Sequence, residues 1–380
     1  MSVQFHNPTR VIFGSGSLSM LEQIVYQELQ SRKPFLVTDE GVEEAGIHRD
    51  VIAQIPEIQK FNEVEQNPKH LTVNRAGDIV RQYQPDLIIG LGGGSVLDAA
   101  KAIALLATNP GGIEDYEGRG KYKIPPLPLV AIPTTCGTAS EVTWVSVITH
   151  TERRFKMSIK GPEMFPAVAC VDPDLLKTLP SALVASTGMD ALTHAVEAYT
   201  VKPASFMTAL FSRESLLYIF ASLEAAFRDI KSDNEARERL MKGSMLAGFA
   251  FGNSDVGAVH CLAESIGALY DIAHGVANAV FLPYVMEYNL TVSTEKYAEV
   301  ARISGIDEEN DEEAARSLIQ KVKELSSILN IPSFKDLGIE ERDFSLIAQK
   351  SFENNSNRSN PRDVTAQDYL HILKQADSNY

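Results

Sequence analysis

The chain has 380 residues, 44% hydrophobic and 22% charged, enough for two domains with buried cores. Its 50 Asp and Glu against 35 Lys and Arg leave a formal charge of −15, the opposite sign to that of a nucleic-acid binder or a protein docked on anionic lipid. Three cysteines with no CxxC pair are too few for a disulfide framework, and neither a signal core nor an apolar run long enough to span a bilayer is evident, so the expectation is a cytoplasmic protein that binds neither nucleic acid nor membrane.

Phe35-Leu-Val-Thr38 predicts a buried strand, with Asp39 just past its end. A carboxylate there can hydrogen-bond a ribose diol and repel a 2′-phosphate, or it can cap a helix. Asp86–Gly90 predicts a second strand and Val96–Leu106 a helix. Between them residues 90–95 read Gly-Leu-Gly-Gly-Gly-Ser, where backbone N–H groups and a helix N-terminus could hold pyrophosphate. The pattern is neither a strict GxGxxG nor a P-loop, and a tight strand–helix turn is the plainer alternative. Leu129–Ile132 predicts a third strand, followed by Pro133-Thr-Thr-Cys-Gly-Thr-Ala-Ser140, a loop rich in hydroxyls. Strand–loop–helix alternation predicts a mainly parallel sheet, with ligand loops at the carboxyl ends of its strands.

From Ser181 the period becomes helical, over Leu183–Tyr199, Phe206–Ile230, Asn234–Phe251 and Glu312–Leu329. The acidic run Asp307–Glu313 reads as a solvated loop or helix start. The expected organisation is an α/β Rossmann-like domain over 1–180 and an all-helical domain over 181–380. In the second, Asp190 and His194 lie four apart and share one helix face, and His260 and His274 follow on later helical stretches. One carboxylate and three imidazoles suit Fe2+ or Zn2+. Spacing alone equally admits a salt-bridged pair and hydrogen-bonded core histidines.

Gly92-Gly-Gly-Ser-Val-Leu-Asp98-Ala-Ala-Lys101, Pro133-Thr-Thr-Cys-Gly-Thr-Ala-Ser-Glu141, Gly188-Met-Asp-Ala-Leu-Thr-His194-Ala-Val-Glu197 and His274-Gly-Val-Ala-Asn278 together resemble the iron-containing (group III) alcohol dehydrogenases, and the similarity runs from Phe13-Gly14 to Asn360-Pro-Arg362. The resemblance implies a dehydroquinate synthase-like superfold with its active site between the two domains, commonly in a dimer or larger homo-oligomer. It implies a divalent metal, Fe or Zn, on Asp190, His194, His260 and His274. It implies NAD(H) contacts from Asp39, Asn67, Gly93, Gly94, Ser95, Asp98, Thr134, Thr135, Thr138, Ser140, Val142 and Lys156. The implied reaction interconverts a short-chain aldehyde and its primary alcohol.

Two departures bear on the substrate. Glu264 stands where many members carry a histidine, and as a catalytic residue it would relay a proton. Ser356-Asn357-Arg358 precedes Asn360 where the family often has small residues, and an arginine there would suit an acidic aldehyde such as a sulfonate, phosphonate or semialdehyde. Phe251 matches a position that packs on the substrate. The rival readings are a neutral short alcohol or diol as substrate and, further off, a lyase like dehydroquinate synthase.

Overall fold

The computed structural model describes residues 3–378, which fall into two compact units: Asn7–Leu179, and Pro180 onward together with the first residues through His6.

The first unit holds nine strands and four α-helices: β1 (Arg10–Phe13), β2 (Pro34–Val37), α1 (Glu40–Glu44), α2 (His48–Gln54), β3 (Gln59–Phe61), α3 (His70–Tyr83), β4 (Leu87–Gly92), α4 (Gly94–Thr108), β5 (Gly118–Arg119), β6 (Leu129–Pro133), β7 (Val145–His150), β8 (Phe155–Lys160) and β9 (Val168–Val171). Six strands form a wholly parallel sheet in the order β1-β9-β6-β4-β2-β3. Alternate residues of each strand face opposite sides. Phe35, Val37 and Ile88 pack with Val73, Val80, Val96 and Ile103 of α3 and α4, while Leu36, Ile89, Leu91 and Val130 pack with Val42, Val51 and Ile55 of α1 and α2.

The chain therefore leaves β2 toward one face and β4 toward the other, although these strands are neighbours. That reversal opens a crevice at their carboxyl ends, the position where doubly wound sheets take their ligands. The Thr38 hydroxyl donates to the Leu91 carbonyl at 2.8 Å and ties the two strand ends together.

Two local expectations change. Asp86, read as a strand residue, lies just before β4, where its carboxylate accepts from the Ser31 hydroxyl and the Arg32 and Lys33 amides and so fixes the turn entering β2. The alternating run Val145–Lys160, unread in the sequence, forms the antiparallel hairpin β7–β8, with β5 alongside β8.

The second unit is helical: α5 (Ser181–Thr200), α6 (Phe206–Asp229), α7 (Asn234–Phe251), α8 (Ala258–Tyr270), α9 (His274–Ile303), α10 (Asp311–Ile328), α11 (Phe344–Glu353) and α12 (Ala366–Ser378). Polar caps start several of them: Ser205, Asp233 and Asn310 accept from the amides of Thr208, Ala236 and Glu312. The acidic run 307–313 divides: residues 307–310 are loop, while Asp311, Glu312 and Glu313 fill the first turn of α10, where the helix dipole favours them. Helix α5 is buried almost all round, packed by α6, α7 and α9, its residues apolar or small apart from one polar face. Among the described residues no helix is long and apolar enough to cross a membrane.

Candidate metal centre and nucleotide loops

In the helical unit, α5 presents Asp190, His194 and Glu197 on one face at intervals of four and three residues. All three are buried. Helix α8 brings His260 to this face and α9 brings His274. Gly275 makes the second approach possible, because a Cβ there would lie 2.3 Å from the Ser186 carbonyl oxygen of α5, a backbone atom that cannot yield.

Ligand atoms of Asp190, His260 and His274 lie within 4.8 Å of one another. Asp190 Oδ1 is 3.7 Å from His274 Nε2 and 4.0 Å from His260 Nε2. His194 joins the group through His260, their Nε2 atoms 2.9 Å apart, with its Nδ1 3.7 Å from Asp190 Oδ1.

The hydrogen bonds fix which atoms are lone pairs. Glu197 accepts from the backbone N–H of Gly257 at 2.9 Å, that of Val259 at 2.8 Å, and His260 Nδ1 at 2.6 Å. A carboxylate so held keeps the proton on Nδ1 and leaves His260 Nε2 as a base facing the cluster, which is how a second carboxylate orients a metal-binding imidazole. Burial, together with the nearby His260, keeps His194 well below its ordinary pKa and hence neutral. Burial opposes charge on His260 too, but the hydrogen bond and charge of Glu197, with Asp190 and Glu264 behind, raise its pKa. A field that draws a proton to this point also draws a divalent cation, which displaces the proton.

Asn278, one turn after His274, places Nδ2 2.6 Å from Asp190 Oδ1, 3.1 Å from His274 Nε2 and 3.2 Å from His260 Nε2. Three acceptors thus converge on one electropositive group, while Asn278 Oδ1 and His194 Nδ1 are buried without a hydrogen-bond partner. Such a set of nitrogen and carboxylate donors, buried except for the half-buried His274, fits Fe or Zn. Cys261, next to His260, is a buried neutral thiol, its pKa pushed far up by burial.

The outer residues divide differently from the sequence expectation. Phe251 stacks on the His194 ring with centroids 4.3 Å apart. Glu264, half-buried one turn after His260, accepts from Asn354 Nδ2 at 2.6 Å. Ser356 donates to Asp255 at 3.0 Å, and Asn357 donates to the Val364 carbonyl at 3.1 Å and accepts from the Tyr369 hydroxyl at 2.8 Å. Both are buried and committed within the domain, whereas Arg358 is exposed. Neither Glu264 nor Asp255 pairs with it.

In the α/β unit most candidate cofactor residues lie on or near the loops after β2, β4 and β6, three adjacent strands, while Asn67 follows β3 and Lys156 lies in β8. Helix α4 starts at Gly94 with no side-chain cap, leaving its first backbone N–H groups, including that of Ser95, as an anion-binding end. The glycines here have a second use. A Cβ at Gly93 would sit 3.0 Å from Thr135 and one at Gly94 2.4 Å from Thr138, so they admit the loop after β6, which is also tied by Thr134 N to the Gly92 carbonyl at 3.0 Å.

Asp98, also expected at the cofactor, makes hydrogen bonds within the unit. Its carboxylate accepts from the Ser140 hydroxyl at 2.6 Å and from Val147 N at 2.9 Å. Lys101, buried in the middle of α4, donates to Ser140 Oγ at 2.7 Å, Thr143 Oγ1 at 3.1 Å and the Val145 carbonyl at 2.8 Å. Together they fix the segment that carries Ser140 and Val142. Asp39 caps α1 through Oδ1, 2.7 Å from Val42 N. Lys156 Nζ donates to Asn67 Oδ1 at 2.7 Å and orients that left-handed residue.

The sequence reading passed over Glu197, Asn278 and Lys101 as site residues. The signals were there: Glu197 is three residues after His194, Asn278 four after His274, and Lys101 three after Asp98 inside an otherwise apolar helix.

With this geometry in place, comparison with known proteins is decisive. Residues 8–173 match the model "Iron-containing alcohol dehydrogenase" and residues 184–377 match "Fe-containing alcohol dehydrogenase family, C-terminal". The NAD-dependent methanol dehydrogenase of Bacillus methanolicus is 35% identical over 98% of this chain and 99% of its own length. A crystal structure of 1,3-propanediol oxidoreductase superposes with a TM-score of 0.94 at 38% identity, covering 99% of this chain and 100% of its own. That of sulfoacetaldehyde reductase from Bifidobacterium kashiwanohense with NAD+ gives 0.90 at 27% identity, covering 100% of both chains. The fold and site define a dehydrogenase with a parallel-sheet nucleotide domain and a helical domain. The chain belongs to the iron-containing alcohol dehydrogenase family, and it is an enzyme, an alcohol/aldehyde oxidoreductase.

Proposed function

We propose that the protein interconverts a short-chain aldehyde and its primary alcohol, using NAD(H) and one divalent metal, Fe or Zn, on Asp190, His194, His260 and His274. The observation that carries this reading is the convergence of Asp190, His260 and His274, with His194 against His260 and the Glu197 carboxylate setting the tautomer of His260. A cation bound there supplies Lewis acidity toward the substrate oxygen, and the nicotinamide supplies or accepts hydride.

The chain's own residues position and protect. Glu197 and Phe251 hold two imidazole rings in place, and buried surroundings exclude water. The uncapped start of α4 binds the pyrophosphate, and the threonine loop after β6 lines the same crevice. Asp39, at the end of β2, selects NAD over its 2′-phosphorylated form. Glu264 lies one turn from His260 and takes the proton-relay role, with Asn354 orienting its carboxylate.

A neutral alcohol or diol is the favoured substrate. Ser356 and Asn357 already use their polar groups inside the domain, and Arg358 faces solvent, so no built oxyanion pocket stands there. The relatives named for methanol and propanediol lie nearer in identity than the one named for sulfoacetaldehyde. The test is a panel of neutral and acidic aldehydes with NADH and NADPH, on protein reloaded separately with Fe(II) and Zn(II), wild type beside Arg358→Ala. Neutral aldehydes reduced fastest with NADH, and no loss in the variant, are expected. A selective loss on the acidic aldehydes in Arg358→Ala would return the oxyanion reading.

A further inference from the structure

A second cluster of metal-binding character lies in the α/β unit and takes no part in the chemistry above. His70 opens α3, His150 ends β7, and Glu152 sits in the turn of the β7–β8 hairpin. One ligand atom from each lies within 4.8 Å of the others. Glu152 Oε2 is 3.2 Å from His70 Nε2 and 3.0 Å from His150 Nδ1, close to the donor spacing around a small tetrahedral ion. The imidazoles stack at 4.3 Å, and His70 is buried, so neither ring is loose on the surface.

We infer that His70, His150 and Glu152 form a separate divalent transition-metal site, suited to Zn(II), with its remaining position open to solvent. Two neutral imidazoles and a carboxylate are a set this ion accepts. Ligation through His70 Nε2 and His150 Nδ1 moves the His70 proton to Nδ1 and gives up two long contacts, Thr151 N to His70 Nδ1 at 3.4 Å and Arg153 N to His150 Nδ1 at 3.5 Å. Against that small loss stand three coordinate bonds.

The site joins two segments that meet beside the candidate cofactor residues. Thr149 N donates to the Pro68 carbonyl at 2.8 Å, and Thr149 pairs with Lys156, which holds Asn67. A metal bridging His70 and His150 clamps the 67–70 segment onto the hairpin. It thereby stiffens the mount of Asn67 and Lys156.

The test uses holoenzyme already loaded at the first site, titrated with cobalt(II) for its visible spectrum and with zinc(II) for stoichiometry and melting temperature. Wild type is expected to take one further equivalent and to melt higher for it. His150→Gln should weaken that equivalent at least about tenfold and abolish the rise in melting temperature, while melting like wild type in chelator. Glu152→Gln, at an exposed position, serves as the second variant. Equal extra stoichiometry and stabilisation in wild type and both variants would overturn the inference, as would no further equivalent in wild type. Activity is not the readout, so the outcome is independent of the function proposed for the first site.

Discussion

The two halves of the molecule build their sites in opposite ways. In the helical unit the candidate site is made of side chains: Asp190, His260 and His274, from three helices, bring ligand atoms within 4.8 Å of one another, with His194 against His260. In the α/β unit the side chains beside the candidate nucleotide crevice mostly satisfy one another, as with Asp98, Ser140 and Lys101, and what faces outward is backbone at the start of α4. A cation is captured by leaving charge and lone pairs unbalanced. A dinucleotide is held by leaving N–H groups uncapped and fixing the loops around them.

That contrast can be broken by changes confined to one half. The largest effect is expected from His274→Ala, which removes a donor outright: kcat/KM should fall by about 10²–10³ or more, since a Lewis-acid metal contributes several kcal/mol. Metal analysis should show the loss, with NADH binding by fluorescence unchanged. Next comes Glu197→Gln. The buried amide keeps the shape but relaxes the tautomer of His260, so metal affinity should drop about 10–100-fold by competition with a chelator. Gly275→Ala forces α9 away from α5 and should cost about 1–3 kcal/mol of stability by denaturant unfolding, with weakened metal retention. Gly94→Ala displaces Thr138 and should raise the KM for NADH about tenfold, the worth of one well-placed hydrogen bond, at unchanged metal content. A loss of metal in Gly94→Ala, or of NADH affinity in Glu197→Gln, would dissolve the division between the halves.

The smallest expected effect is a pH dependence. Burial raises the Glu141 carboxyl from 4.5 to about 7. In that window the folded chain holds a proton that the unfolded chain has released, so stability falls as pH rises from 4.5 toward 7. Glu141→Gln should flatten this slope in unfolding curves taken across the window.

The same contrast explains what was legible in the sequence. Asp190, His194, His260 and His274 carry their chemistry in their identity, so four residues far apart in the chain could be named together, and the strands ending at Thr38, Gly90 and Ile132 were visible as apolar runs. The reason for Gly93 and Gly94 was only half visible, because nothing in a row of glycines says that two threonines from another loop fill the space beside them. The partners of Asp98 were not visible in the sequence, because Ser140 and Val147 are more than forty residues away. Arg358 drew attention by its charge, yet its side chain is exposed. The hairpin β7–β8 was not legible, because alternation within a run does not say which segment it pairs with.

The most direct measurement is a metal titration of chelator-stripped protein, followed by aldehyde reduction and by NADH fluorescence in the same samples. Activity should return in proportion to the first equivalent of metal and plateau there, NADH affinity should stay constant throughout, and Asp190→Asn should recover almost nothing. Stripped protein that keeps full activity, or an Asp190→Asn variant that regains it as readily as wild type, would contradict the assignment of the metal to this site.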